Sequence, residues 1–227
     1  ADKGAAIGFD TFIENSTRSV DPSLTTDSMK EDGFGVYGFV TNNSVTAPLF
    51  TNEHIYWNNV WTYGAKQYWI AGATYDFAAI APYDAYEVTS AATNGVTLNF
   101  ESDGVTDLLY AQNNSVAGPD IVGFTFKHLL SKVKFSFENA YNATNATIRV
   151  KNVQIVDAYK NGVATLNADT AWAPTNNNLT LNFGNAATTS ATADEDFGYN
   201  TTIESYNELL MIPGAGATEV TNNGVTT

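Results

Sequence analysis

The sequence predicts an all-β protein of β-sandwich architecture in two domains, with few and short helices. Two kinds of pattern predict the class. Residues 124–139 read FTFKHLLSKVKFSFEN, where Val133, Phe135 and Phe137 alternate with Lys132, Lys134, Ser136 and Glu138. Period two is the mark of a half-buried strand. It recurs in Val96-Thr-Leu98-Asn-Phe100 and in Leu179-Thr-Leu181-Asn-Phe183. The second pattern is negative: no helical period of 3.6 is sustained beyond about ten residues. Regular turn signals separate the short strands, as in a sandwich.

Taken in order, the chain opens with Ile7, Phe9 and Phe12 in a short apolar stretch, followed by a polar loop from 14 to 30 with Pro22 inside it. Strands resume at 33–40, where Gly33, Gly35 and Gly38 predict close backbone approach or local bending. An aromatic-dense region runs from 56 to 86 and includes Trp57, Trp61, Tyr63, Trp69, Tyr75 and Phe77. Asn94-Gly95 and Asp103-Gly104 bracket the 96–100 strand as turns. Gly118-Pro119 then punctuates the chain, which places the domain boundary between residues 122 and 123. Domain one is 1–122 and domain two is 123–227. Ile148-Arg-Val150 continues out of phase into Val153 and Ile155, which predicts a bulge near Lys151-Asn152. Asn161-Gly162 reads as a turn, and the Ala-, Thr- and Ser-rich stretch between Phe183 and Phe197 as a mobile loop.

Composition excludes several functions. The net charge is −14 with 10 Lys and Arg against 24 Asp and Glu, so phosphate backbones and anionic lipid surfaces are repelled, and no nucleic-acid partner is expected. The chain has no cysteine, which removes thiol catalysis, disulfides and thiolate metal sites. His54 and His128 have no ligand partners near them in sequence, so no metal, cofactor or catalytic group is expected, and they read as a loop residue and a strand end. Acidic residues 194–196 read as a solvated charge run within the loop. Starting at Ala1 without a signal peptide, the chain reads as a mature or trimmed product.

Two readings of the aromatic region stand side by side. Trp57, Trp61 and Trp69 either fill a sandwich core or form an exposed platform for sugars, as on a cell-surface carbohydrate-binding sandwich.

Four segments together resemble fimbrillin-like proteins, the type V pilus subunits of Bacteroides-type bacteria. They are Tyr75-Asp-Phe-Ala-Ala-Ile-Ala-Pro82, Asp107-Leu-Leu-Tyr-Ala111, Phe126-Lys-His-Leu-Leu-Ser-Lys-Val133 and Leu209-Leu-Met-Ile-Pro213. The resemblance implies two β-sandwich domains of transthyretin-like type and a non-enzymatic subunit or tip protein of fimbriae at the cell surface, exported through the outer membrane as a lipoprotein precursor. It implies other pilus subunits as partners, an Arg-specific protease, and host or bacterial surface ligands for adhesion. It further implies removal of an N-terminal strand and assembly by donor-strand exchange. Arg18 lies in the polar loop and is the candidate processing site. The segment holding Ile7, Phe9 and Phe12 is the candidate removable strand. In the family several strands follow the Ile-Pro segment, but only 14 residues follow Pro213 here, so the second domain is expected to be truncated or completed from elsewhere.

Overall fold

The computed structural model describes residues 4–14, 26–142, 146–214, 221–222 and 225–226. Its class is all-β, with a single seven-residue helix among the described residues. The elements are β1 (Phe9–Ile13), α1 (Thr26–Asp32), β2 (Phe34–Asn42), β3 (Val45–Trp57), β4 (Trp61–Thr62), β5 (Thr74–Ala81), β6 (Glu87–Ala92), β7 (Gly95–Glu101), β8 (Leu109–Val116) and β9 (Val122–His128). After these come β10 (Ser131–Val133), β11 (Ser136–Glu138), β12 (Val153–Ala158), β13 (Asn161–Leu166), β14 (Thr170–Asn176), β15 (Leu179–Gly184), β16 (Thr202–Glu204) and β17 (Leu209–Met211). A short hairpin, β18 (Thr221–Asn222) with β19 (Val225–Thr226), closes the series.

Two compact units divide the chain. The first comprises Ala1–Phe100, Thr106–Leu130 and Val163–Ala171. The second comprises Glu101–Val105, Ser131–Gly162 and Trp172–Thr227. The division therefore does not fall between residues 122 and 123. The physical reason is β9, which pairs with β8 on one side and β1 on the other and so stays with the first unit.

The first unit is built on a seven-stranded sheet in the order β1-β9-β8-β5-β2-β3-β4. Its central strands are buried on both faces. Phe34, Val36, Phe77, Ala79, Ala81, Leu109 and Ala111 point to one side, into the main core. Tyr37, Ala78, Ile80 and Tyr110 are buried on the other. There the Tyr110 hydroxyl donates to the Leu166 carbonyl of β13 at 3.3 Å, and burial pushes its phenol pKa upward. Val96, Leu98 and Phe100 of β7 and Ala164 and Leu166 of β13, in the four-stranded sheet β14-β13-β7-β6, are buried as a second layer. The phase predicted for 96–100 matches the structure. Gly38 marks an irregular register between β2 and β3. A side chain there would come within 2.7 Å of Phe50 and 3.0 Å of Phe77, so the glycine permits the bend.

In the second unit the predicted strand over 131–138 keeps its phase but is interrupted. β10 pairs with β17 and β11 with β16, and four residues, 205–208, oppose Lys134 and Phe135. Ser205 spans the interruption: its backbone N–H donates to the Phe135 carbonyl at 2.8 Å, and its hydroxyl accepts from the Phe135 N–H at 3.1 Å. Lys132 and Lys134 point outward and pair with Glu208 and Glu204 at 3.0 and 2.7 Å.

Several local expectations are corrected. Asn161-Gly162 opens β13 instead of forming a turn, and only Tyr159 and Lys160 separate β12 from β13. The irregularities of the β12–β15 ladder sit between Val153 and Gln154 and between Ile155 and Ala158, just past the expected position, with Asn152 at φ 53°. His54 belongs to β3 rather than to a loop. Its Nε2 lies 3.0 Å from the Asp32 carbonyl, and its ring stacks on Tyr83 at 3.9 Å. The stretch between Phe183 and Phe197 is pinned. Arg149 pairs with Asp194 and Asp196, Lys151 with Asp194, and Glu195 accepts from the backbone N–H and hydroxyl groups of Thr188 and Thr189.

Candidate functional site

The seven-stranded sheet curls until its two ends approach one another, and the N-terminal segment closes the seam. On one flank the Ile7 N–H donates to the Gln67 carbonyl at 2.9 Å, and the Trp69 N–H donates to the Ala5 carbonyl at 3.0 Å. Tyr63, just past β4, donates its hydroxyl to the Ile7 carbonyl at 2.8 Å. On the other flank β1 runs parallel to β9, pairing Phe9 with Val122, Thr11 with Phe124 and Ile13 with Phe126. A ten-residue piece of chain thus stitches the two ends together.

The hydrogen-bond parity of β1 can be worked out from its ends. The Val122 N–H donates to the Gly8 carbonyl, and the Glu14 N–H donates to the Phe126 carbonyl. Alternation then turns the backbone groups of Gly8, Asp10, Phe12 and Glu14 toward β9 and those of Phe9, Thr11 and Ile13 toward the open edge. The Thr11 N–H is met there by its own neighbour, donating to Asp10 Oδ1 at 2.8 Å. A carboxylate on the outer rim is a usual guard against unwanted strand addition.

Side chains follow the same period. Ile7 is 1% exposed and Phe9 5%. The Phe9 ring packs on Phe50, Tyr63, Phe77 and Phe124, with centroids 5.6, 5.7, 5.9 and 5.7 Å away. Four aromatic contacts from four separate segments make it the central plug of the core. Phe12, expected among the anchors of this strand, points outward and is 62% exposed. The inward positions beside Phe9 are instead Thr11, buried, and Ile13, half-buried against the core. Thr11, being polar, does not stand out in the sequence as an inward-facing residue. The signal that finds it is strict alternation from Phe9. Arg18 lies outside the described residues.

The three tryptophans do not share a plane. Trp61 is buried edge-on against Phe34 at 5.0 Å and carries Trp57 at 5.2 Å with 74° between the rings. Trp57, at the surface, lies 4.5 Å below Lys30 Nζ. Trp69 is half-buried, edge-on to Tyr75 at 4.7 Å, beneath Gly118 with φ 44°. A side chain at Gly118 would fall 2.4 Å from the indole, so that glycine is what lets the loop cover the ring.

Two other arrangements are polar. His128, the last residue of β9, lies with Nδ1 2.6 Å from Oδ2 of the buried Asp107. The second unit has a polar cleft of about 540 Å³ lined by Lys151, Asn152, Asn182, Asn185, Thr192 and Asn207 among others. Its asparagines are braces: Asn185 Oδ1 accepts from the Asn152 N–H, Asn185 Nδ2 donates to the Ala193 carbonyl, and Asn207 Nδ2 donates to the Asn182 carbonyl. Among the described residues no three His, Asp or Glu side chains converge in a way that could hold a metal ion. No described helix is long and apolar enough to cross a membrane.

The sequence model of fimbrillin-like proteins matches residues 17–226. The chain belongs to the fimbrillin-like family. Membership ties it to a pilus or adhesion role at the cell surface, in a family of structural rather than enzymatic proteins. The matched stretch begins beyond β1, so the seam strand lies outside it. No curated protein matches the chain. Among solved structures, a protein provisionally named a cell adhesion protein from Bacteroides uniformis is similar at 16% identity and a TM-score of 0.51. The match covers 94% of this chain and 77% of that one. A second, from Bacteroides ovatus and named in the same way, is similar at 15% identity with a TM-score of 0.47, over 94% and 79% of the two chains. The first likeness supports the fold.

Proposed function

We propose that this fimbrillin-like chain is a structural, accessory or tip subunit of surface fimbriae that joins its neighbours by donor-strand exchange at the β1 seam and supports adhesion. The observation that carries this reading is the position of Phe9. It is a core plug supplied by a terminal edge strand and not by an internal one. Removing that strand leaves the edge of β9 unpaired beside a groove lined by Phe50, Tyr63, Phe77 and Phe124. Such a groove takes an extended segment of another chain by β-augmentation. Arg18, four residues beyond the last described residue of the seam segment, is where an Arg-specific protease would release it. Partners are then other pilus subunits, with host or bacterial surface molecules as adhesion ligands. The precursor would be a lipoprotein exported through the outer membrane.

Limited trypsin treatment tests the processing step. Cleavage after Arg18 should precede cleavage after Arg149, whose guanidinium is held by Asp194 and Asp196. The cut chain should lose stability in its first unit and form fibres when a donor segment is supplied. An Arg18→Ala chain that polymerises at the normal rate overturns the processing step.

A further inference from the structure

We propose that Thr11 makes β1 a weak occupant of its own slot, so that the strand replacing it is one carrying an aliphatic, β-branched residue at the Thr11 position. This rests on the exchange reading above and specifies the partner strand.

Thr11 is 4% exposed, and among the described residues its Oγ1 has no hydrogen-bond partner. A hydroxyl buried without a partner loses its hydration and gains nothing in return. The register sets Thr11 beside Phe124, between Phe9 opposite Val122 and Ile13 opposite Phe126. Every one of those β9 neighbours is fully buried and apolar. The slot is thus built for hydrocarbon at three successive inward positions, and β1 supplies it at two.

The outward side of β1 shows the complementary mismatch. Phe12, its second phenylalanine, spends its ring on solvent. A strand with the sense of the slot would place apolar residues at the positions of Phe9, Thr11 and Ile13 and polar ones at those of Asp10 and Phe12. Valine matches threonine in shape and replaces the hydroxyl with a methyl, so it fits the same space without the unpaired group. Addition of a strand on the outer edge of β1 is the competing arrangement. Asp10 opposes it by occupying the Thr11 N–H on that rim.

The test has two arms. In the intact chain, hydrogen exchange of the β1 amides is compared among the parent, Thr11→Val and Thr11→Ser. Thr11→Val should raise protection about tenfold, the effect of removing one unsatisfied buried hydroxyl, while Thr11→Ser should not. In the second arm the chain is nicked between Asn15 and Thr26, by trypsin at Arg18 or at a protease site inserted there, so that β1 becomes a separable fragment. Labelled nine-residue peptides with the sequence of residues 6–14, with and without the Thr11→Val change, then compete with it. The valine peptide should bind about tenfold more tightly and leave the resident β1 amides unprotected. Equal binding of the two peptides with β1 displaced overturns Thr11 as the selecting position and leaves exchange standing. Binding by neither peptide, or binding with β1 still protected, overturns exchange and with it the proposed partner. No gain in protection from Thr11→Val overturns the weakness assigned to β1.

Discussion

Around Phe9 the first unit packs Phe50, Tyr63, Phe77 and Phe124 at 5.6 to 5.9 Å, with all five residues almost completely buried. Around Phe135 the second unit packs differently. The ring meets Phe183 edge-on at 5.0 Å, but Phe135 itself, Val133, Val153, Ile155, Leu179, Leu209 and Met211 are only partly covered. The second unit compensates with polar braces: Ser205 bridging the Phe135 backbone, Lys132 and Lys134 paired across the ladder, and Arg149 and Lys151 clamping the 186–196 stretch. The contrast separates two ways of holding short strands together. A dense core makes the first unit depend on the β1 strand that plugs its seam, whereas charge and amide bracing makes the second depend on ionisation.

The largest effect should come from the seam. Phe9→Ala removes the plug and should cost the first unit about 3–5 kcal/mol by denaturant melting followed with a probe local to that unit. Phe12→Ala, three residues along and on the opposite face, should change stability by less than about 0.5 kcal/mol. A larger loss at Phe12 than at Phe9 would mean that β1 sits in the opposite phase, and equal losses would take away the basis of the contrast between the units.

That pair also marks how far the sequence could be read. Strands at 96–100, 133–137 and 179–183 were legible because each repeats a period of two over at least three apolar residues, and the structure keeps every phase. Residues 9–13 read FDTFI, in which apolar residues at 9, 12 and 13 break any single period. Only register against β9 decides that Thr11 faces inward and Phe12 outward. Ile7 and Phe9 could be chosen from hydrophobicity alone, but the role of Thr11 could not. The stretch between Phe183 and Phe197 looked mobile because its order comes from Arg149, 47 residues before Asp196. Trp61 shows the same limit: its burial follows from Phe34, a neighbour in space on another strand.

A smaller effect is expected in the second unit. Phe135→Ala should cost about 1–3 kcal/mol, below the full cost of a buried aromatic, because the ring already touches solvent. Phe183→Ala, at a fully buried site in the same cluster, should cost about 3–5 kcal/mol. Thermal or denaturant melts of the two variants check the order. A Phe135 loss as large as that of Phe9 would show that the second core is as closed as the first.

The smallest and most selective effect should come from acid. The hydrogen bond from Lys151, with the Arg149 charge adding to it, holds the Asp194 pKa below its ordinary value. The Arg149 guanidinium does the same for Asp196, and the Thr188 N–H for Glu195. These groups have folded pKa values lowered from ordinary values of 3.8 for aspartate and 4.5 for glutamate. Their contribution is therefore complete above those values and is lost as pH falls through the lower folded ones. Amide protection across residues 186–196, corrected for intrinsic exchange, should decline below about pH 4, while the central β2–β5 ladder keeps its own. Because the carboxylates are exposed, salt should weaken the same clamp at neutral pH. Arg149→Gln should lower protection of that stretch at pH 7 and flatten its response to acid. If the stretch keeps full protection down to pH 2, or if the β2–β5 ladder opens before it, charge is not what holds this part of the second unit.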